Sequence, residues 1–498
     1  MLLEGGNAVD AAVAAVLTSF VAESPLTGFG AGGFMLVHTA SDDVLIDFFV
    51  GVPGLGEVER RSELVPVVVK FGDAEQVFNI GAASCGTPGT GAGLWEALRR
   101  FGTVPAAELT APAARLAREG VVVNEQQAYL HELLTGVLTE FPEARALYAP
   151  DGNLLGAGDV FRFDELGDAL DRYGRAGPDA FYRGDVAEKI AEWVVERGGT
   201  LSTADLAAYE PAQREPVRAA LAGRDILTNP PPSAGGILIA FTLGVLELAG
   251  RTDLEAIVLA MEEAQAVRTE QFNQGLYEEG FAGRLLAEER LREAADRVRA
   301  GVRVGRPGTD GPADRLGSTT HISTLDADGN CASVTCSNGT GSGIVVPGTG
   351  VHVNNMLGEE DLNPLGFHRL PTGVRLPSMM APSVVLRDGE VEMVLGSGGS
   401  NRIRSAIVQA IVHLIADEDW AQDAVSSPRV HFEGGIVQAE PGLDEEALEG
   451  LEELGYEVAR WRSQDWFFGG VHAVARDPET GALGGGGDPR RGGSVALV

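Results

Sequence analysis

The sequence predicts a mixed α+β protein, because helical and strand-like patterns occupy different parts of the chain. Residues 92–295 show apolar positions three and four apart, the spacing of amphipathic helices. From residue 319 onwards the chain turns to a β-hairpin pattern and further β-rich runs. Of the 498 residues 44% are hydrophobic, enough to bury a core for one large body or for two or three ordinary domains.

The N-terminal part begins as a helix and continues as strands. Residues 7–23 are mostly small and apolar, which favours a helix packed closely inside a layered core. Residues 28–33 match the letters of a dinucleotide-binding motif, but they lead into the strand-like residues 34–38 instead of a helix, so no nucleotide site is predicted. Between residues 44 and 78, strand-like runs alternate with a charged loop that contains proline.

The middle of the chain is predicted to be helical. The predicted helices cover 92–100, 106–118, 126–140, 163–173, 186–197, 204–209 and 236–249. Residues 254–295 are predicted as one long helical stretch whose Glu and Arg side chains form a solvated face.

The last part follows a Gly- and Pro-rich loop over 301–317. A hairpin is predicted from 319–325 and 331–337, across the turn 326–330. Further strands are predicted at 344–346, 350–353, 384–386, 392–395 and 471–476, and helices at 402–416 and 447–454. The glycine-rich residues 396–401 precede a helix, and their backbone amides make a natural anion site.

Composition and charge exclude several classes of partner. A formal net charge of −34 argues against nucleic acid and anionic membranes. The longest apolar run, 235–246, is too short to cross a bilayer, and the start of the chain lacks the basic region of a signal peptide. The sequence as it stands therefore predicts a cytoplasmic protein, with a truncated start left open.

No cofactor, metal site or disulfide is predicted. The eight histidines have no metal-ligand spacing, and neither a Walker loop nor a Gly-x-Ser-x-Gly elbow is present. Cys331 and Cys336 lie an odd number of residues apart on one predicted strand, so their side chains should face opposite sides. Together with Cys85 they are interpreted as thiols without a disulfide framework.

Thr319 stands at the first position of the predicted hairpin. If the bond between Ser318 and Thr319 were cut, Thr319 would have both a hydroxyl and a free α-amine. An α-amine titrates near pH ~8 and can accept the hydroxyl proton, so the residue would act as its own nucleophile and base. The alternative is that β-branched residues simply begin a strand here.

The motif Thr319-Thr320-His321-x-Ser323-x-x-Asp326-x-Asp328-Gly329-Asn330 resembles the small-subunit start of the γ-glutamyltranspeptidase family. Members of that family are N-terminal-nucleophile hydrolases that cleave themselves before this threonine. Further motifs agree in the family's order: Gly5-Gly6-Asn7-Ala8-Val9-Asp10-Ala11-Ala12, Gly28-Phe29-Gly30-Ala31-Gly32-Gly33-Phe34-Met35, Gly86-Thr87-Pro88-Gly89, Pro230-Pro231-Pro232-Ser233-Ala234-Gly235-Gly236, Pro347-Gly348-Thr349-Gly350, Asn354-Asn355, Gly396-Ser397-Gly398-Gly399-Ser400-Asn401-Arg402-Ile403 and Asp488-Pro489-Arg490. The resemblance implies a four-layer αββα sandwich, with 1–318 as the large and 319–498 as the small segment, which remain associated after autocleavage.

The resemblance also implies roles for individual residues. Thr319 would be the nucleophile, and Ser337 matches a threonine that hydrogen-bonds it. Gly399 and Ser400 match paired glycines whose backbone N–H groups form the oxyanion hole. Asn338 and Asn355 match substrate-contacting asparagines, although two residues are missing after Ser337. His321 shares a strand face with Thr319, and is interpreted as a packed strand histidine.

Departures from the family pattern fall on the acyl pocket. Phe49 stands where an arginine clamps the α-carboxylate of a γ-glutamyl group, and a phenyl ring cannot replace a bidentate arginine. Paired serines that hold the same carboxylate appear as Ser378 and Met379, and a glutamine is replaced by Met356. Three acids remain as partners for a substrate ammonium, with the register open: Glu359, Glu360 and Asp361.

These observations predict a self-cleaving threonine amidohydrolase or acyltransferase with an altered acyl pocket, acting on a small-molecule amide. Two enzyme alternatives remain: a true γ-glutamyltransferase that uses Arg60, Arg61, Arg375 or Arg402 instead, and a cephalosporin-acylase-like enzyme. A third alternative is an uncleaved, catalytically silent homologue with a binding or structural role.

Overall fold

A computed structural model describes residues 1–71, 74–305, 319–418 and 420–498. The helices in chain order are α1 (Ala8–Ala22), α2 (Thr90–Phe101), α3 (Ala106–Glu119), α4 (Glu125–Leu133), α5 (Thr135–Glu140), α6 (Pro142–Tyr148), α7 (Asp164–Ala176), α8 (Asp179–Tyr182), α9 (Asp185–Glu196), α10 (Thr203–Ala207), α11 (Ala234–Ala249), α12 (Leu254–Ala266), α13 (Glu270–Gly275), α14 (Phe281–Leu285), α15 (Glu288–Arg299), α16 (Arg402–Ala416), α17 (Ala421–Ser426) and α18 (Glu445–Glu453). The strands are β1 (Gly32–His38), β2 (Asp43–Phe48), β3 (Val65–Phe71), β4 (Ala74–Ile80), β5 (Val121–Val122), β6 (Val160–Phe161), β7 (Ala212–Arg214), β8 (Val217–Leu221), β9 (Arg224–Thr228), β10 (Thr320–Leu325), β11 (Cys331–Ser337), β12 (Val345–Val346), β13 (Val351–His352), β14 (Ser383–Arg387), β15 (Glu390–Gly398), β16 (Val430–Glu433), β17 (Ile436–Ala439), β18 (Glu457–Arg460), β19 (Gly470–Arg476) and β20 (Leu483–Gly487).

Two sheets form the centre of the protein. The first has five strands in the order β10-β11-β1-β2-β7, and the second has six in the order β20-β19-β15-β14-β9-β8. Strand β10 packs against β15 and β19, and β11 packs against β15, so the hairpin end of the first sheet faces the second sheet. Both sheets are antiparallel, and their inner faces are joined by contacts such as the hydrogen bond from Ser333 Oγ to the carbonyl oxygen of Leu395 (2.9 Å).

Helices cover the outer face of each sheet. Helices α1 and α2 pack on the first sheet, whereas α11 and α16 pack on the second. Helix α11 is buried because it carries almost unbroken apolar sequence, and its Ile237, Leu238 and Ile239 are fully buried. The arrangement is the four-layer αββα sandwich that the family resemblance implied.

The Gly5-to-Ala12 motif fixes the first helix against the hairpin. Asn7 caps α1 through a reciprocal pair of hydrogen bonds with Asp10, each 3.0 Å long. The same Asp10 carboxylate accepts hydrogen bonds from Thr103, and the N–H of Ala8 donates to Asp326 in the hairpin turn (3.0 Å). The motif therefore sets the position of the hairpin that begins at Thr319.

The Pro230-to-Gly236 motif holds another segment that lines the candidate site. A Cβ atom on Gly235 would lie only 2.1 Å from the carbonyl oxygen of Met379, so glycine permits this close approach. Ser233 Oγ and the N–H groups of Ala234 and Gly235 all donate to the carbonyl oxygen of Ser378, at 2.8 to 3.0 Å. The first turn of α11 thus fixes the backbone of residues 378–380.

Most predicted elements are confirmed, and two helix predictions are wrong. The predicted helix over 126–140 divides into α4 and α5 at Leu134, and the predicted stretch over 254–295 divides into α12, α13, α14 and α15. The interruptions have local causes: Thr269 caps α13 with its side chain, and Gly280 adopts a left-handed φ of 72°. From residue 306 onwards the predicted loop, with Ser318, lies outside the described residues.

The three cysteines are buried free thiols, and the structure brings no pair of them together as a disulfide. Across the ranges that the structure describes, none of the helices is long and apolar enough to span a lipid bilayer.

Candidate active site

Thr319 lies directly before β10, at the end of the first sheet that faces β15. Thr320 pairs with Cys336 in the β10–β11 ladder, and this register sets Ser337 across from Thr319. On the opposite sheet, Gly398 packs against Thr319: a Cβ atom there would lie 2.7 Å from the Thr319 carbonyl oxygen and 3.2 Å from its Cβ. Only glycine fits at residue 398, and Thr319 is therefore held between the two sheets.

The loop that joins β15 to α16 presents backbone donors beside Thr319. Gly399 and Ser400 have φ values of 130° and 51°, both in the region that favours glycine. The carbonyl oxygen of Gly399 accepts a hydrogen bond from Arg402 N–H at 3.1 Å. Because the N–H of Ser400 shares a peptide plane with that carbonyl, it points the opposite way, out of the helix.

Thr319 borders a small pocket with mixed walls. The pocket has a volume of about 40 Å³ and is lined by Phe49, Thr319, Ser337, Met356, Glu359, Asp361, Leu362, Ser378, Met379, Met380, Ser400 and Ile403. The structure thus brings together nine of the residues singled out from the sequence: Phe49, Thr319, Ser337, Met356, Glu359, Asp361, Ser378, Met379 and Ser400.

Two acids of one turn face this pocket. Burial, followed by the negative charge of Asp361, raises the pKa of Glu359 to about 8. The Asp361 carboxylate accepts a hydrogen bond from Ser400 Oγ. Of the three acids whose register the sequence left open, the fold places Glu359 and Asp361 in the pocket, whereas the predicted Glu360 is exposed and does not line it.

Phe49 forms an apolar wall of the pocket. Its ring stacks on that of Phe34, with centroids 5.2 Å apart and planes at 21°, and the residue is 1% exposed. Its backbone is fixed by hydrogen bonds from its own N–H to Asp47 Oδ1 (3.0 Å) and from Tyr209 Oη to its carbonyl oxygen (2.7 Å).

Among the described residues that line the pocket, none is an arginine or a lysine. The guanidinium of Arg375 stacks on Tyr209 at 4.1 Å and lies 3.7 Å from Asp47. Arg402 donates from Nε to the carbonyl oxygen of Phe467 (3.0 Å) and lies over that ring. Arg60 and Arg61 are exposed elsewhere on the surface.

Three other predicted residues lie behind the pocket wall. The Asn355 side chain accepts a hydrogen bond from Thr340 N–H and donates one to Thr340 Oγ1, and each of these bonds is 2.9 Å long. Asn338 is fully buried, and its side-chain amide makes no hydrogen bond with the part of the chain that the structure describes. His321 bridges Thr335 and Ser323 at 2.8 Å each, and burial lowers its pKa well below the ordinary value, as expected of a neutral strand histidine.

Sequence reasoning missed a buried polar network under the loop of Gly399 and Ser400. Asn401 Nδ2 donates to Glu433 Oε1 at 2.6 Å, and His431 Nε2 lies 3.1 Å from Glu433 Oε2. Ser405 Oγ contacts the other ring nitrogen of His431 at 2.6 Å. These partners come from β16 and α16, and nothing in their local sequence indicates that they meet.

Known proteins resemble this chain over nearly its whole length. The family model described as gamma-glutamyltranspeptidase matches residues 1–498. The Acylase ACY 1 proenzyme of Pseudomonas sp. (strain SE83) is 33% identical, over 96% of this chain and 87% of the relative. The glutathione hydrolase proenzyme of Escherichia coli (strain K12) is 30% identical, over 98% of this chain and 87% of the relative. The crystal structure of cephalosporin acylase from Bacillus halodurans superposes with a TM-score of 0.82 at 26% identity, covering 99% of this chain and 92% of that chain.

The sandwich and the sequence matches define a hydrolase of the N-terminal-nucleophile type. Within that class, the chain belongs to the γ-glutamyltranspeptidase family of hydrolases and acyltransferases.

Proposed function

We propose that the chain is a self-processing amidohydrolase and acyltransferase in which Thr319 is the N-terminal nucleophile, and that its acyl pocket prefers apolar groups to γ-glutamyl. One observation carries the proposal: Thr319, Ser337 and Ser400 border a single pocket that also contains Phe49 and the methionine pair 379–380. Cleavage before Thr319 would divide the chain into 1–318 and 319–498, and the extensive pairing of β11 with β1 would keep the two segments together.

Each step of the proposed acyl-transfer reaction can be assigned to a residue of the site. The hydroxyl oxygen of Thr319 attacks the amide carbonyl carbon, and its proton passes to the α-amine that cleavage creates. Charge on the carbonyl oxygen is stabilised by the N–H groups of Gly399 and Ser400. The α-ammonium returns the proton to the leaving amine, and the resulting ester is released by water or by another amine. Ser337, across the ladder from Thr319, supports the nucleophile.

The walls of the pocket disfavour a γ-glutamyl group. Its α-carboxylate would face Phe49 and the two acids Glu359 and Asp361, without an arginine among the described lining residues. An apolar acyl chain gains from burial against Phe49, Met356 and Leu362, by about 0.8 kcal/mol for each methylene. The buried amide of Asn338, next to Ser337 in the chain, makes no hydrogen bond with the described chain, and its donor and acceptor lie outside the pocket lining.

A cephalosporin-acylase-like activity is the second candidate. It is supported by the likeness to the Bacillus halodurans structure and to the acylase proenzyme. A glutaryl side chain is anionic, and Glu359 and Asp361 would oppose its carboxylate unless protonated. A cephalosporin that carries an uncharged acyl side chain would avoid this charge repulsion.

The test compares p-nitroanilides of hexanoic acid, glutaric acid and γ-glutamate on the purified protein. The proposal predicts that kcat/KM is at least about tenfold higher for hexanoyl than for γ-glutamyl, because the carboxylate has no cationic partner in the described pocket. A γ-glutamyl preference would instead favour a true γ-glutamyltransferase. Absence of turnover with all three, in a protein that remains uncut, would favour the silent homologue.

A further inference from the structure

A side-chain hydrogen bond ties the first residue of β10 to the end of α1. Thr320 Oγ1 donates to the carboxylate of Glu23, with 2.5 Å between the oxygens, and Glu23 directly follows the last residue of α1. Successive side chains of an extended chain point to opposite faces, so Thr320 faces α1 while Thr319 faces β15. Neither Glu23 nor Thr320 is among the described residues that line the acyl pocket. The bond therefore supports the nucleophile from the far side of the strand.

A second hydrogen bond ties the other end of β10 to the start of the same helix. Thr324 Oγ1 donates to the carbonyl oxygen of Ala8 (2.8 Å), and Thr324 shares a strand face with Thr320 because the two are four residues apart. The N–H of Ala8 donates in turn to Asp326 in the hairpin turn (3.0 Å). Helix α1 thus holds β10 at both ends, and the bond to Thr320 is the one that lies next to Thr319.

Cleavage before Thr319 would turn this residue into a chain end. The β10–β11 pairing begins at Thr320, so the residue that carries the reaction lies just outside the ladder. Chain ends and strand ends fray unless other contacts hold them. Rotation of Thr320 about the strand axis would swing the hydroxyl and the α-amine of Thr319 away from the loop of Gly399 and Ser400. A fixed Thr320 side chain restricts that rotation.

The surroundings of Glu23 strengthen its hydrogen bond to Thr320. Glu23 and Arg491 line the same cavity, whose volume is about 400 Å³. Burial raises the pKa of Glu23, whereas the hydrogen bond from Thr320 and the positive charge of Arg491 lower it. A hydrogen bond to a charged carboxylate is about twice as strong as one between neutral groups. The bond is therefore strong enough to fix the Thr320 side chain.

Arg491 is itself held in place at the end of the second sheet. Gly398 and Gly470 face each other in the β15–β19 ladder, and Arg491 occupies the space that a side chain on either glycine would fill. Its guanidinium stands 4.5 Å over the ring of Trp466, and its Nη2 donates to the carbonyl oxygen of that residue (3.3 Å). The positive charge that favours the Glu23 carboxylate thus has a fixed position.

We propose that Glu23 is a positioning residue for the nucleophile. Through its hydrogen bond to Thr320 it sets the orientation of the chain end, so that Thr319 Oγ and the α-amine both face the acyl pocket. The inference rests on the proposed function, because it assigns a support to the Thr319 nucleophile. Glu23 makes and breaks no covalent bond, and the proton transfers remain between Thr319 and the substrate.

Two substitutions remove the hydrogen bond, one from each side. Glu23→Ala removes the acceptor, and Thr320→Val removes the donor with little change in side-chain volume. With hexanoyl p-nitroanilide as the substrate, each should lower kcat between about 10- and 100-fold and change KM by less than about threefold, because a misplaced nucleophile acts on the transition state. Turnover is expressed per cleaved chain, counted by intact mass, so slower self-cleavage does not imitate slower catalysis.

Conservative variants separate the hydrogen bond from charge and packing. Glu23→Gln keeps an oxygen acceptor without the negative charge, and Thr320→Ser keeps the hydroxyl donor. Both should recover most of the kcat that Glu23→Ala and Thr320→Val lose. Glu23→Asp is one methylene shorter and should not recover it. If Glu23→Ala fails to fold, Glu23→Asp takes its place in the comparison.

Thr324→Val is the matched control, because it removes the bond to α1 at the far end of the same strand. It should lower the unfolding temperature about as much as Thr320→Val does, while kcat stays within about threefold of the parent value. Equal losses of kcat in the two valine variants would reduce the effect to general stability of the strand, and would overturn the positioning role.

The outcomes separate this inference from the proposed function. Parent-like kcat in both Glu23→Ala and Thr320→Val would overturn the role of Glu23 and leave the threonine hydrolase intact. A parent protein that stays uncut and turns over none of the three anilides would overturn the proposed function, and the positioning role with it. A loss of kcat that Glu23→Gln and Thr320→Ser reverse, and that Thr324→Val does not share, is the result expected.

Discussion

Ser400 donates its hydroxyl hydrogen to Asp361, which ties the loop after β15 to the acid-bearing turn of the acyl pocket. The bond joins the residue proposed as a backbone donor for the oxyanion to an acid that lines the same pocket. Ser400 also holds a left-handed φ of 51°, which costs a non-glycine residue about 1 kcal/mol. The loop after β15 therefore combines a strained backbone with a side-chain tether.

Ser400→Gly tests whether the backbone or the hydroxyl of this residue acts in catalysis. Glycine keeps the N–H donor and removes the strain, so kcat/KM should stay within about tenfold of the parent, short of the roughly 10²-fold loss of a missing oxyanion donor. Ser400→Ala is the control: it loses the hydroxyl but keeps the strain, and should unfold at a lower temperature than Ser400→Gly. A larger loss in the glycine variant would assign the function to the hydroxyl.

Phe49→Arg tests the origin of acyl selectivity. The guanidinium would disrupt the stack with Phe34, and we expect the free energy of unfolding to fall by about 3 kcal/mol or more. In protein that folds, the ratio of kcat/KM for γ-glutamyl over hexanoyl should rise at least about tenfold, because a carboxylate gains a partner. Phe49→Leu should leave the ratio unchanged. An unchanged ratio in the arginine variant would show that residue 49 does not contact the acyl group.

The pKa of Glu359, raised to about 8, predicts a pH dependence of stability. Between pH ~4.5 and 8 the folded carboxyl retains a proton that the unfolded one has lost, so stability falls as pH rises, by at most about 1.4 kcal/mol per pH unit. The measurement compares urea unfolding of Thr319→Ala, chosen to stay uncut, with Thr319→Ala/Glu359→Gln. The stability advantage of the first protein over the second should shrink across that window. A difference independent of pH would contradict the assigned pKa.

Glu433→Gln tests whether the buried polar network supports the loop of Gly399 and Ser400. The substitution replaces one of the two carboxylate acceptors that hold Asn401 and His431, so the loop should lose its fixed position. We expect kcat to fall between about 10- and 100-fold with little change in KM, because small misplacements act on the transition state. Ser405→Ala, which removes only the far contact of His431, is the milder control. A change confined to KM would argue against this role.

Local patterns predicted the hairpin and the main helices, because each follows from residues close together in the chain, whereas the four-layer fold was implied by the family resemblance. The β10–β11 hairpin and α16 begin and end within a few residues of the predicted bounds. The prediction over 254–295 failed because helical charge spacing persists across the interruptions at Thr269 and Gly280.

The candidate site was only partly predictable, because some of its residues come together only through packing between distant parts of the chain. Thr319, Ser337 and Ser400 follow from motifs, whereas the register of Glu359 depends on how the turn after Asn355 packs. A cavity of about 400 Å³ combines Glu23 with Arg491, from opposite ends of the chain. Sequence patterns carry no information about such a meeting; the packing of α1 against β10 and of the chain end against β19 creates it.

The most direct test of the central claim is the intact mass of the purified protein under denaturing conditions, beside a Thr319→Ala control. The account predicts two fragments, with masses that match residues 1–318 and 319–498, and a single uncut chain in the control. A single full-length mass for the parent protein, under conditions where it is folded, would contradict the self-made N-terminal nucleophile.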